Sequence, residues 1–182
     1  MSANYAEHYV CGQMVDVDEM CIYYKGRHRC RCFNPSKPEK FHLKAFGLND
    51  SATGYLHSFY MYRGASEARP AGVSASAFPV LKLVGDAVGD CFAKKGYILA
   101  LDNWYTSMDL VKFALNKEIE LVGTVRTNRS GLDRPTVIPK TGANSKPKGF
   151  MHCVETEVSP GKYCYFTAWQ DNKPVHMLST FP

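Results

Sequence analysis

Three acids stand where a carboxylate could do chemistry. Asp18 and Glu19 fall together inside a run rich in Val, Ile and Tyr, Met14 to Tyr24, which reads as a β-strand. Neighbouring strand residues point to opposite faces, so at most one of the two can share a site with an acid elsewhere. Asp102 ends the continuous apolar run Tyr97-Ile98-Leu99-Ala100-Leu101, the pattern of a short strand buried on both faces. A side chain leaving the carboxyl end of such a strand points toward the crevice where α/β sheets collect ligands. Two carboxylates converging there would repel one another unless a divalent cation joined them. Plainer readings stand beside these: Asp18 on a solvated edge strand, and Asp102 capping a turn.

Cysteine offers a second candidate chemistry. The seven cysteines are scattered and odd in number, which fits reduced thiols better than a disulfide framework. Cys21, His28, Cys30 and Cys32 come nearest to a zinc cluster. They lack a repeated Cys-x2-Cys spacing, so ordinary thiols are the expectation there.

The elements that must position these groups follow from periodicity. Phe41–Leu48 and Tyr55–Tyr62 read as two further strands around the turn-forming Asn49-Asp50-Ser51-Ala52-Thr53-Gly54, giving an antiparallel meander with the first. After Pro79, apolar residues recur at spacings of three and four, a helical pattern that Gly96 closes. The strand ending at Asp102 comes next. A helix then spans Ser107–Lys117, with Thr106 and Asp109 placed as a capping box. A β-branched strand, Ile119–Val125, follows. This order of three strands, helix, strand, helix, strand gives an α/β fold, a mixed sheet flanked by helices. Beyond Thr127 three short strands are expected at Phe150–Glu157, Lys162–Trp169 and Lys173–Thr180. The division is thus a core over 1–126 and a β-rich region over 127–182.

Net charge is +5, but it is unevenly spread. Lys25, Arg27, Arg29, Arg31, Lys37, Lys40 and Lys44 face one acid, Glu39; Arg126, Arg129, Arg134, Lys140, Lys146 and Lys148 face only Asp133. Two basic stretches on an otherwise acidic chain suit a polyanion, although two solvated loops would look the same. No segment approaches the roughly 20 apolar residues needed to span a bilayer. The first eight residues carry no basic or apolar signal pattern, so a soluble intracellular protein is expected.

The local strings add what spacing leaves open. Asp18-Glu19-Met20, Lys25-Gly26-Arg27 and Pro35-Ser36-Lys37-Pro38-Glu39-Lys40 resemble a run characteristic of piggyBac-type transposases. Asp102-Asn103-Trp104-Tyr105-Thr106-Ser107 is similar to that family's second catalytic signature. Gly123-Thr124-Val125-Arg126-Thr127-Asn128-Arg129, the Asp50–Tyr55 turn, and Lys173-Pro174-Val175 with Leu178-Ser179-Thr180 have counterparts in the same order.

The resemblance implies an RNase H-like core with a β-rich insertion after its fifth strand and a DDE metal site. Asp18 and Asp102 match the first two acids, and the third is expected beyond residue 182. It implies two Mg2+ ions, DNA cleavage and strand transfer at TTAA sites, transposon ends and target DNA as partners, and a nuclear location, with a homodimer left open and no membrane. The phosphate contacts would come from Lys25, Arg27, Arg29, Lys37, Lys40, Lys44, Arg126 and Arg129. Asn103 and Thr106 would shape the Asp102 turn, with Trp104 and Tyr105 serving as packing residues ahead of base-stacking platforms. The alternative is a domesticated or decayed derivative that binds DNA or a partner without catalysis.

Overall fold

The computed structural model describes residues 8–64, 67–86, 96–129, 131–132, 136–139 and 145–182. The chain forms two compact units, Met1–Cys91 and Phe92–Pro182. In the first, β1 (Met14–Tyr23), β2 (Arg31–Phe33), β3 (Phe41–Asp50) and β4 (Leu56–Met61) precede a helix, α1 (Ala77–Val80), which runs on as a π-helical segment, Leu81–Asp86.

Strand β3 is the centre of this unit. It pairs antiparallel with β1 from Val15↔Asp50 to Tyr23↔His42 along one edge. Along the other it pairs with β2 (Cys32↔His42) and β4 (Phe46↔Tyr60). The period of two puts Val15 and Val17 on one face with Phe46 and Leu48, all four buried. Each such side chain removed from water contributes about 1.5–3 kcal/mol. The expected meander is therefore present as β1, β3 and β4. Strand β2 is an addition, hidden in what the composition marked as a basic loop. The helical pattern expected to run to Gly96 crosses residues 87–95, which lie outside the described residues.

Asp50 closes β3 and is buried. Its carboxylate accepts from the backbone N–H of Gly12 (2.7 Å), Ala52 (2.8 Å) and Thr53 (3.1 Å) and from the Tyr9 hydroxyl (3.0 Å). One side chain thus joins the residues before β1 to the β3–β4 turn.

The second unit contains β5 (Ile98–Leu101), α2 (Met108–Asn116), β6 (Glu120–Thr124), β7 (Met151–Ser159), β8 (Lys162–Gln170) and β9 (Pro174–Ser179). β5 and β6 are parallel, with Leu99↔Leu121 and Leu101↔Gly123, and α2 makes the crossover. β6 pairs antiparallel with β9, β9 with β8 and β8 with β7. The three last strands thus extend the sheet through β6. Leu110, Val111 and Ala114 form the buried stripe of α2. On the sheet, Cys164, Phe166 and Ala168 alternate as the buried side of β8. No described helix is long and apolar enough to cross a membrane.

One local expectation is corrected here. The N-cap of α2 is Ser107, not Thr106; the Ser107 side chain accepts from Leu110 N–H. Thr106 is otherwise engaged, its hydroxyl donating to the Asp102 carbonyl oxygen at 2.8 Å.

The three backbone donors and the Tyr9 hydroxyl hold the Asp50 carboxyl down at about 2, from an ordinary 3.8, against the opposing effect of burial. A depressed acid stabilises the fold above its unfolded value, and that contribution is lost as pH falls through the folded value. Stability against thermal unfolding should fall between about pH 4 and pH 2. In Asp50→Asn, stability at neutral pH should be lower and its decline over that window shallower; an unchanged pH profile would remove Asp50 from this role.

Candidate active site

Asp102 stands just past the carboxyl end of β5, exposed, with its side chain fixed by its own turn. Its Oδ1 accepts from Trp104 N–H at 2.8 Å and Tyr105 N–H at 3.3 Å. Its backbone oxygen accepts from Tyr105 N–H, Thr106 N–H and the Thr106 hydroxyl. The turn-capping reading is therefore correct for one carboxylate oxygen, and the exposed position leaves the acid facing outward as well. Tyr105 is 1% exposed and meets Trp104 edge to face at 4.8 Å, so this aromatic pair packs the turn.

Two arginines from the segment after β6 anchor to the same turn. Arg126 Nε donates to Asn103 Oδ1 at 3.1 Å, and an Arg129 Nη2 N–H donates to the Trp104 carbonyl oxygen. Arg126 is exposed and Arg129 half-buried. An open cavity of ≈ 390 Å³ lies alongside, lined by Asn103, Thr124, Arg126, Thr127 and His176 among others. The His176 imidazole has its pKa pushed below the usual value by burial. It also accepts from Ile138 N–H at 3.0 Å and stacks on Phe166, which makes it a structural residue.

Asp18 lies mid-strand in β1 and is exposed, on the face opposite Val15 and Val17. Its Oδ1 accepts from Glu19 N–H at 2.7 Å. Its cross-strand partner is Gly47, where a Cβ would press against Leu56 and Met20. Asp18 thus belongs to the first unit and Asp102 to the second.

The basic residues divide by what they touch. Lys25, Arg27, Arg29, Lys37 and Lys40 are exposed around the β2–β3 hairpin. Tyr23, Phe33 and Phe41 are exposed in the same region. Arg31 instead donates to the Lys25 and Gly26 carbonyl oxygens and lies over the Phe41 ring. Lys44 is half-buried and pairs with Glu19 at 2.7 Å. Among the described residues the zinc grouping weighed from sequence, Cys21, His28, Cys30 and Cys32, is not drawn together; His28 Nδ1 accepts from Cys30 N–H, and the Cys32 thiol donates to the Cys30 carbonyl oxygen. Among the described residues, Glu19, Cys21 and His42 are the metal-ligating types drawn together. His42 carried no sequence signal, because its place beside Cys21 follows from strand register alone.

These geometries define a class: a mixed α/β sheet with an acid at the carboxyl end of a parallel strand and arginines fixed to its turn. A family model described as Transposase IS4 matches residues 1–182, and the chain belongs to that transposase family, in its piggyBac type. It is 28% identical over 167 residues to the human PiggyBac transposable element-derived protein 3, covering 90% of this chain and 26% of the relative. The human chimeric ERCC6-PGBD3 protein is likewise 28% identical, with 90% of this chain and 15% of the relative covered. Among solved structures, a piggyBac transposase in a synaptic complex with hairpin DNA matches with a TM-score of 0.79 at 26% identity. That match covers 98% of this chain and 35% of the other. The RNase H-like α/β fold expected from sequence is the fold found. The chain spans about a quarter or less of the curated relatives' length.

Gly123 sets how closely the Asp102 turn approaches β6. A methyl group there would collide with the Thr106 hydroxyl and the Leu101 carbonyl oxygen. Gly123→Ala should destabilise the chain by about 1–3 kcal/mol, the usual range for overpacking, lowering Tm by roughly 2–10 °C. A Tm equal to that of the parent protein would show that the turn has room to give.

Proposed function

We propose that this chain carries the first two acids of a DNA-cleaving and strand-transferring metal site, Asp18 and Asp102, within a piggyBac-like transposase. The observation that carries the reading is the Asp102 turn. It combines an exposed acid at a strand's carboxyl end, one carboxylate oxygen oriented by two backbone N–H groups, and two arginines tied to the same loop. Carboxylate oxygens are the donors that Mg2+ takes, and Asp18 and Asp102 are both exposed and oriented by N–H groups. Mg2+ bound there would supply an activated water or 3′-hydroxyl and stabilise the leaving oxygen during in-line attack on a phosphodiester. In this reading Asp18 and Asp102 would supply two of the carboxylates that hold a pair of such ions.

The chain's own part is to orient and to neutralise. The turn N–H groups keep Asp102 from rotating away. Arg126 spends Nε on Asn103 and keeps its other N–H groups for a phosphate oxygen. Lys25, Arg27, Arg29, Lys37 and Lys40 form the exposed cationic surface along which a DNA backbone would run, releasing counterions. Arg129 and Lys44 contribute charge from partly buried positions. Residues 127–182 take the place of the family's β-rich insertion. Transposon ends, a TTAA target and a nuclear location belong to this reading. The DNA-bound state of the matched transposase structure supports it.

A second reading is a transposase-derived protein that binds DNA without cutting it. It is favoured by the human relative, which is itself a transposable element-derived protein. The two readings share DNA binding and part at the metal.

Mn2+ can stand in for Mg2+ as a paramagnetic probe. Water-proton relaxation should report saturable binding that weakens about tenfold or more in Asp18→Asn and in Asp102→Asn, at least the cost of disturbing a metal's outer shell. Parent-like Mn2+ binding in both variants would sink the acid site, whereas DNA binding with no Mn2+ binding at all would favour the second reading. Binding to a labelled duplex carrying TTAA should weaken steeply with salt. Lys37→Ala with Lys40→Ala should reduce the log–log salt slope by about 2. A flat salt response would rule out the cationic surface as the DNA contact.

A further inference from the structure

The face of β1 opposite Asp18 carries a different donor set. Glu19 and Cys21, two residues apart, share that face, and register brings β3 residues His42 and Lys44 onto it. Ligand atoms of Glu19, Cys21 and His42 all lie within 4.8 Å of one another. Cys21 Sγ sits 3.8 Å from Glu19 Oε1, while Glu19 Oε2 is the oxygen that meets Lys44 Nζ. One oxygen of the carboxylate therefore faces the thiol and the other is held by a lysine. His42 is 2% exposed, and its Nδ1 stands 3.0 Å from the Glu39 carbonyl oxygen. A ring nitrogen against a carbonyl must carry the proton, so in the neutral ring Nε2 keeps its lone pair. Fixing a histidine through its other nitrogen in this way is the usual support for a metal ligand. Cys32 on β2 is the direct cross-strand partner of His42, but its thiol donates to the Cys30 carbonyl oxygen at 3.7 Å and it stands outside this group.

We propose that Glu19, Cys21 and His42 form a three-residue site for a zinc-class divalent cation, separate from the acids Asp18 and Asp102. The donors decide the class. A thiolate, an imidazole and a carboxylate suit Zn2+, with water taking the fourth tetrahedral position, and disfavour Mg2+, which takes oxygen. Closing the set asks the ligand atoms to contract from 4.8 Å to the roughly 3.5–4 Å spacing of tetrahedral Zn–S, Zn–N and Zn–O bonds, a side-chain adjustment. The bound ion would tie β1 and β3 together at the base of the basic hairpin, stiffening the segment that carries Lys37 and Lys40.

Co2+ alone, added to the reduced, metal-stripped 182-residue chain, serves as the probe. One equivalent should produce a thiolate-to-cobalt charge-transfer band and the intense visible bands of four-coordinate cobalt, both removed by added Zn2+. Cys21→Ser should abolish the charge-transfer band, as expected for a single thiolate ligand, and Cys32→Ser should leave it in place. Cys153→Ser should leave the spectrum unchanged. Glu19→Gln, checked for fold by circular dichroism, should weaken Co2+ binding at least tenfold. The site is overturned by the absence of the band in the parent, or by a full band in Cys21→Ser.

Discussion

The antiparallel register between β1 and β3, running from Val15↔Asp50 to Tyr23↔His42, governs what the first unit can do. A strand side chain has two directions available, and register decides which residues of the neighbouring strand it meets. Val15 and Val17 are buried against Phe46 and Leu48, and that apolar match leaves the pairing little freedom to slip. Once it is fixed, Asp18 must project from the other face, opposite a glycine. Glu19 and Cys21 must project from the apolar face, beyond the end of its buried stretch. A slip of one residue would exchange those two faces and put Glu19 where Asp18 stands. The chemistry of β1 is thus set by the burial of valines that take no part in it.

Much of this was legible in the sequence, for identifiable reasons. The Val, Ile and Tyr content of Met14–Tyr23 and the alternation in Phe41–Asp50 announce strands because burial on one face imposes a period of two. The β5–α2–β6 unit was legible because its apolar spacing changes from continuous to helical and back. Asp102 was legible as the polar residue ending an apolar run. What stayed hidden is non-local. β2 is three residues long and is held by β3, not by its own Arg-Cys-Phe composition. The pairing of β6 with β9 joins residues such as Gly123 and Leu178, far apart in sequence. His42 looks like one more polar residue in an alternating strand, and its closeness to Cys21 is readable only from register.

Local competition explains the smaller differences. Thr106 and Ser107 are both good helix caps by residue type. Thr106 is 0% exposed and bonded to the Asp102 carbonyl oxygen, so the cap passes to Ser107. The same threonine leaves no space for a side chain at 123. Turn, helix start and β6 therefore constrain one another through a single hydroxyl, which is how a loop acid acquires a fixed direction. Arg126 and Arg129 add to this: a cation that anchors a turn is also placed to meet an anion arriving at it, provided some of its donors remain outward. Arg126, exposed and bonded to Asn103 through Nε alone among the described residues, keeps that second capacity more fully than half-buried Arg129.

The Glu19–Lys44 ion pair bears on whether the opposite face of β1 needs a cation at all. A carboxylate already paired at 2.7 Å is neutralised, and a half-exposed pair of this kind contributes little to stability on its own. The pair, however, engages Oε2, and the thiol faces Oε1. Lys44 also lies over the Phe46 ring at 4.9 Å, so its ammonium has a second favourable neighbour. A cation taken up at Oε1, Cys21 and His42 would therefore not have to expel the lysine, which could remain as the outer partner of the same carboxylate. Hard oxygen donors on one face of β1 and softer mixed donors on the other would then select different ions. The separation would come from strand alternation alone, without any further element of the fold.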